Sequence, residues 1–215
     1  MVSKACVVSK GEQTRDAILD KALGLASRVG LGGLTIGTLS EELGLSKSGL
    51  FAHFGSKEAL MLRTLEYAAE RFAEVVIGPA VAAPRGEARI RSLFDAFRRW
   101  PVLVPQPGGC IFVAAGMEFD DRPGPIRDRL RALRQEWHDF VAGAARRAMD
   151  AGDFRLDLDP DQFAFELDGI QLAWHQASRL RGDPKAEERA RTAFEALVGA
   201  ARAPATGRAA VKRRG

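Results

Sequence analysis

The sequence lacks most of what marks a secreted, membrane-spanning or metal-dependent protein. Its 215 residues include only two cysteines, Cys6 and Cys110. They lie far apart in unlike surroundings, so neither a disulfide framework nor a spaced ligand cluster is implied. No stretch approaches the ~18–20 consecutive apolar residues of a membrane span. The N-terminus has no apolar signal-peptide core, and together these absences predict a cytoplasmic protein. β-branched runs are few and proline is scarce within the apolar-periodic stretches, so the chain reads as all-α. Nor is charge of one sign in great excess: the formal net charge is +4 and the pI about 9.4. That suits a polyanionic partner without requiring one. Part of the excess sits at the end of the chain, in Arg208, Lys212, Arg213 and Arg214.

What is present is helical periodicity. With 46% hydrophobic and 28% charged residues, the composition is that of a globular protein long enough to bury a core. Residues 1–11 read as a flexible arm. A helix is expected over about 12–29, with Ile18, Leu19, Ala22, Leu25, Ala26 and Val29 on one face and Gly30 as its C-cap. Residues 35–60, TIGTLSEELGLSKSGLFAHFGSKEAL, then pack three helix starts into a short span. Ile36, Leu39 and Leu43 share one face; Gly44-Leu45 interrupts; Ser46 opens a second run with Leu50, Phe51 and Phe54. Gly55-Ser56 breaks again, and Lys57-Glu58 starts a third helix. Thr35, Ser46 and Ser56 are all good N-caps. Helix, glycine-containing turn and second helix form a helix-turn-helix, whose second helix fits the DNA major groove. Periodicity alone would also allow three short core helices of any small α-domain.

The residues of this stretch strongly resemble the DNA-binding domain of the tetracycline-repressor (TetR) family, over roughly residues 12–65. Turn, second helix and the following Ser56-Lys57-Glu58 sit in register. Phe51 stands where the family most often has Tyr, Gly55 where Pro is frequent, and Gly37 where a polar or basic residue is. Without the hydroxyl, Phe51 is expected in the core. The resemblance implies phosphate contacts from Thr35, His53 and Lys57, with Ser56 beside Lys57 at a helix start that already favours an anion. It places Lys47, Ser48 and Gly49, just after the capping Ser46, over the floor of the groove.

The helix from Lys57 is expected to run to about Ile77 and to break at Gly78-Pro79. An amphipathic helix through Ile90, Leu93, Phe94, Phe97 and Trp100 should stop at Pro101, and PVLVPQPGG (101–109) cannot be regular helix throughout. Further helices are expected over Cys110–Phe119, about 125–151, 160–180 and 184–201. The organisation that follows is a flexible arm (1–11), a helix-turn-helix domain (12–65), an effector-binding and dimerisation domain (66–201) and a disordered basic tail (202–215).

The helix at 160–180 is apolar on two sides and so needs two covers. One cover is the domain core and the other a second copy of the chain, through Phe163, Leu167, Ile170, Ala190, Phe194 and Leu197. Twofold pairing of this kind is the commonest closed assembly. The resemblance implies the same: dimerisation through the last two helices, and a small-molecule site in this half. Candidate lining residues are Phe97, Trp100, Cys110, Phe112, Met117, Trp137, Phe140 and Trp174, with Asp168 and His175 as polar anchors, which points to an apolar or aromatic effector. For any one of these residues plain core is the competing assignment.

Asp168 and His175 share a helix face, but two ligands fall short of a metal site. No metal or cofactor is expected. Cys110 reads as a buried small hydrophobe; a lowered thiol pKa would make it a sensor instead. An enzyme built on Asp168, His175 or Cys110 is disfavoured, because no nucleophile–base–orienter set or phosphate-cradling glycine loop can be assembled. A non-sequence-specific DNA or protein-interaction module is the third possibility. The reading is a homodimeric regulator, a repressor released from a palindromic operator by a small molecule.

Overall fold

The computed structural model describes residues 10–204, with side chains from Thr14 onward. Residues 1–9 of the expected arm, Cys6 among them, and the expected tail beyond residue 204 lie outside the described residues. Within them the chain is helical: α1 (Lys10–Val29), α2 (Ile36–Leu43), α3 (Lys47–Phe54), α4 (Lys57–Phe72), α5 (Gly78–Ala82), α6 (Glu87–Leu103), α7 (Ile111–Phe119), α8 (Pro125–Asp150), α9 (Pro160–Arg179) and α10 (Ala186–Ala201). The one departure is an isolated antiparallel bridge between Phe154 and Arg202.

Two prolines fall inside helices that were expected to end at them. After Phe72 the chain widens into a π-helical stretch, Ala73–Ile77, in which the Gly78 N–H reaches the Ala73 carbonyl. Pro79 then enters α5 directly behind this widened stretch, which carries the helix over a residue that has no N–H to donate. The real break comes at residues 83–86, with Gly86 at a φ of 100°. Pro101 likewise sits within the last turn of α6, which continues to Leu103 at the loss of a single backbone bond.

The chain forms two compact units, divided inside α4. The first runs through Glu70 and also takes in Pro105–Arg127; the second comprises Arg71–Val104 and the chain from Asp128. In the first unit, Ile18, Leu19, Ala22, Leu25 and Ala26 are buried along α1, whereas Val29 is exposed rather than continuing that face. Two contacts explain why residues 105–127 join this unit. The Gly108 N–H donates to Ser27 Oγ at 3.1 Å, and a Cβ on Gly108 would lie 1.4 Å from the Ser27 carbonyl oxygen. Further on, Glu118 Oε1 accepts the Gly32 N–H at 2.9 Å. Only glycine at position 108 permits this approach.

In the second unit, Phe94 and Phe194 stack with centroids 3.9 Å apart, joining α6 to α10. Charged groups tie the same elements together. Glu87 accepts from Arg202 at 2.7 and 2.8 Å and from Arg91 Nε at 2.8 Å. Arg91 in turn grips both oxygens of Glu195, at 2.6 and 2.8 Å. These partners hold the Glu87 carboxyl down from its ordinary 4.5 to about 2, the Arg202 bond contributing most. Arg202 and Ala203, expected at the start of a disordered tail, are therefore ordered, the Ala203 N–H donating to the Asp153 carbonyl at 2.9 Å.

Candidate functional site

The head is built from caps. Thr35 closes α2 reciprocally with Thr38: Thr35 Oγ1 accepts the Thr38 N–H at 3.0 Å, and Thr38 Oγ1 accepts the Thr35 N–H at 3.1 Å. Gly44, at a φ of 64°, turns the chain out of α2. Ser46 Oγ then accepts the Gly49 N–H at 3.1 Å to open α3, and Ser56 Oγ accepts the Ala59 N–H at 3.0 Å to open α4. Each such cap stabilises a helix start by about 1 kcal/mol. The result is a stop–start geometry in which only Leu50 and Phe54 of α3 turn inward. The side of α3 carrying Lys47, Ser48, Phe51, Ala52 and His53 is exposed.

Of the residues expected to touch DNA, Ser46, Lys47, Ser48, Gly49, His53, Ser56 and Lys57 are all exposed, and Thr35 is half-buried under its capping role. A Cβ on Gly49 would meet nothing but its own cap, Ser46 Oγ, at 3.1 Å, so this position is open. Lys57 Nζ donates to the Gly32 carbonyl, whose own N–H is held by Glu118. An ammonium has three donors, so this bond fixes the position of Lys57 without exhausting it. Phe51 corrects the expectation of a core residue: 56% of it is exposed, on the same side of α3 as Lys47 and Ser48. Losing the tyrosine hydroxyl did not turn the ring inward, because Leu50 and Phe54 already fill the inward positions.

The expected effector residues divide between the units. Cys110, Phe112 and Met117 belong to the first and the other seven to the second. Cys110 and Phe112 are buried, but Met117 is 56% exposed. In the second unit, Phe97, Trp100 and Trp137 gather around a ring that sequence reasoning left off the list. Phe72 meets Trp100 and Trp137 edge-on, each at 5.3 Å, and Phe97 at 6.2 Å. Phe97 and Trp137 lie 5.8 Å apart. Phe72 was visible in the sequence only as one more apolar position of α4. Phe140 is half-buried.

Trp174 needs reassignment, because it lines an outer groove between α9 and α10 together with Ile170, Ala173, Ala193 and Leu197. That groove also corrects the expected dimer face. Phe163, Leu167 and Phe194 are buried within the single chain, Phe163 against Phe154 at 5.3 Å and Phe194 against Phe94. They are core and offer nothing to a partner. Ala190 is also buried but lies on the groove, so Ile170, Ala190 and Leu197 remain of the expected set. Phe165, 68% exposed, is a further apolar side chain that α9 leaves uncovered.

Polar groups on the buried side of α9 are the least expected feature. Asp168 pairs through Oδ2 with Arg134 of α8. Burial, aided by Arg179, lowers the pKa of His175 below its ordinary value and favours the neutral ring. Between them Gln171 is only 1% exposed, and neither its Oε1 nor its Nε2 has a hydrogen-bond partner. A buried polar atom left unpaired costs about 1–3 kcal/mol. A glutamine inside an otherwise apolar helical stripe was the available sequence signal, and it was missed.

Among the described residues, no helix is long and apolar enough to cross a membrane. Residues 18–64 match the bacterial regulatory proteins of the tetR family, and residues 86–194 match the tetracyclin repressor-like C-terminal domain. A TetR transcriptional regulator from Chloroflexus aurantiacus superposes with a TM-score of 0.78 at 26% identity, over 88% of this chain and 94% of that one. The HTH-type transcriptional repressor KstR2 of Mycobacterium tuberculosis is 23% identical over 79% of this chain and 85% of its own. AibR, solved with isovaleryl coenzyme A and operator DNA, superposes at a TM-score of 0.68 with 22% identity, over 85% of this chain and 96% of that one. With a capped helix-turn-helix in front of a helical second unit, and both segments matched, this chain belongs to the tetR family of DNA-binding transcriptional regulators.

Proposed function

We propose that the protein is a homodimeric repressor that leaves a palindromic operator when a small apolar or aromatic molecule occupies its second unit. The observation that carries this is the exposed side of α3, framed by capped ends and flanked by Lys47, His53 and Lys57. Lys57, Thr35 and His53 would hold phosphates and set register, with Ser56 at the same helix start. Lys47, Ser48 and Gly49 would read the groove floor. Phe51 adds an apolar surface suited to a thymine methyl group. One eight-residue helix spans few base pairs, so selectivity calls for two heads. The groove between α9 and α10, with Phe165 exposed on α9, supplies apolar surface for twofold pairing.

Repression and small-molecule binding are supported by the relatives. KstR2 is named a repressor, and AibR was captured with both an acyl-coenzyme A and its operator. Release works by population shift: a ligand that prefers the non-binding conformation lowers DNA affinity by its differential affinity for the two states.

The test is selection of genomic fragments by the purified protein, followed by competition with random DNA at fixed salt. A specific regulator should prefer its selected sites by at least about a thousandfold, and these should carry inverted half-sites about 10 base pairs apart or a multiple of that. Equal competition by random DNA would reduce the protein to a non-specific binder.

A further inference from the structure

Four covered polar atoms without hydrogen-bond partners lie along one stripe of α9: Asp168 Oδ1, Gln171 Oε1 and Nε2, and His175 Nε2. Positions 168, 171 and 175 step by three and four residues, so the side chains share a face of the helix. Gln171 is 99% covered, with Leu167 fully covered one turn before it, while Asp168 and His175 on either side are half-buried. Folded proteins rarely leave buried polar atoms unpaired, and several on a single stripe need an explanation. Asp168 Oδ2 is engaged by Arg134, so that carboxylate is balanced. The His175 ring is held neutral by burial. At Gln171 the stripe therefore offers hydrogen bonds from a neutral group, with the Arg179 guanidinium one turn beyond His175.

Gln171 sets the shape of what fits. A carboxamide presents an N–H donor and a carbonyl acceptor side by side. Its complement is a carbonyl next to an N–H, the edge of a lactam or cis-amide. The same unit holds an aromatic cluster in which Phe72 meets Phe97, Trp100 and Trp137, and Phe97 meets Trp137.

We propose that Gln171 is the specificity-determining anchor of the effector site, and that it selects an uncharged, largely apolar ligand carrying an adjacent carbonyl and N–H. The ligand pairs both orphaned atoms of Gln171, and the neighbouring His175 takes a further polar group. This inference rests on the reading of the second unit as a small-molecule sensor. It goes beyond that reading by naming the ligand's chemistry and the residue that chooses it.

The experiment uses the full chain and two planar probes, 2-quinolone and N-methyl-2-quinolone, which differ in the lactam N–H. Calorimetric titration should show the wild type binding 2-quinolone at least about tenfold more tightly than its N-methyl form. Gln171→Met, of nearly equal length and apolar, should bring the two affinities within about threefold of each other. Its ligand-free melting temperature should be equal to or above that of the wild type, because the substitution removes orphaned polar atoms. Gln171→Leu provides the same comparison should the methionine variant not fold.

No binding of 2-quinolone, equal affinity of the wild type for both probes, or discrimination that survives both substitutions would overturn the proposal. So would a clear fall in ligand-free melting temperature for both variants, which would mean that the glutamine is already satisfied without ligand. Selection of genomic DNA by the wild type separates the two readings. If selection succeeds while lactam discrimination is absent, only the ligand assignment falls. If no DNA is selected, the regulator reading itself falls.

Discussion

The two compact units place their candidate functional groups in opposite physical settings. In the first, most of the expected contacts are exposed and their helix starts are set by near neighbours in sequence: Ser46 caps three residues ahead, Ser56 does the same, and Thr35 and Thr38 close on each other. In the second, the groups are buried or half-buried and defined by segments distant in sequence, as where Phe72 meets Trp137 or Arg134 meets Asp168. A surface that reads a polyanion needs cations and backbone N–H groups in water, where exchange is fast and a side chain's direction follows from its helix position. A site for an apolar molecule needs covered surface, and covered surface exists only once several helices have packed.

Substitutions can break or sharpen this contrast. The largest effect is expected within the first unit but away from the DNA side. Gly108→Val would force a side chain into the Ser27 carbonyl and should destabilise by more than about 3 kcal/mol. Denaturant unfolding, or failure to recover folded protein, checks it; a near-normal midpoint would mean that residues 105–109 do not dock on α1 as described. Next is Phe194→Ala, which deletes one ring of the stacked pair and should cost about 3–5 kcal/mol. A cost near zero, with altered self-association, would return Phe194 to a surface between copies.

Acid should act on the second unit through Glu87. Its folded pKa of about 2 lies below the ordinary 4.5. Its stabilising contribution is therefore complete above about 4.5 and is lost as the pH falls toward 2. Melting temperatures of the wild type and Glu87→Gln should differ at neutral pH and converge through that window; curves that stay parallel would remove Glu87 as the cause.

Smaller still is Ser46→Ala, expected to cost about 1 kcal/mol by uncapping α3 and to weaken DNA binding through fraying of that helix. Smallest in stability is Lys57→Ala, within about 0.5 kcal/mol of wild type. It should nevertheless weaken binding to all DNA sequences and flatten the salt dependence by about one unit. Binding assays across salt concentrations, run beside melting curves, decide it. An unchanged slope would leave Lys57 as a tie to Gly32 alone.

Much of the head was legible in the sequence because its determinants are local. The N-caps at Thr35, Ser46 and Ser56 stand where the pattern placed them, and Gly44 turns the chain between helices. Phe51 shows the limit. Leu50, Phe51 and Phe54 are equally apolar, and only packing decided that Leu50 and Phe54 fill the inward positions while Phe51 faces solvent. In the second unit, periodicity identified the apolar residues without saying what covers them. Phe163, Leu167 and Phe194 were expected at a partner and proved to be core, whereas Trp174 was expected inside and lines an outer groove.

By itself the sequence determined the all-helical architecture and the position of the helix-turn-helix. Caps, breaks and 3.6-residue periodicity act over a few residues, and they bias the chain before it folds. Only the tertiary structure decided that residues 105–127 pack with the head, that a π-helical stretch carries the chain past Pro79, and that Gln171 is sealed in with both polar atoms unmatched. Those outcomes depend on which distant surfaces meet. A side chain's burial and its hydrogen-bond partners belong to the packed molecule and are not properties of any one segment.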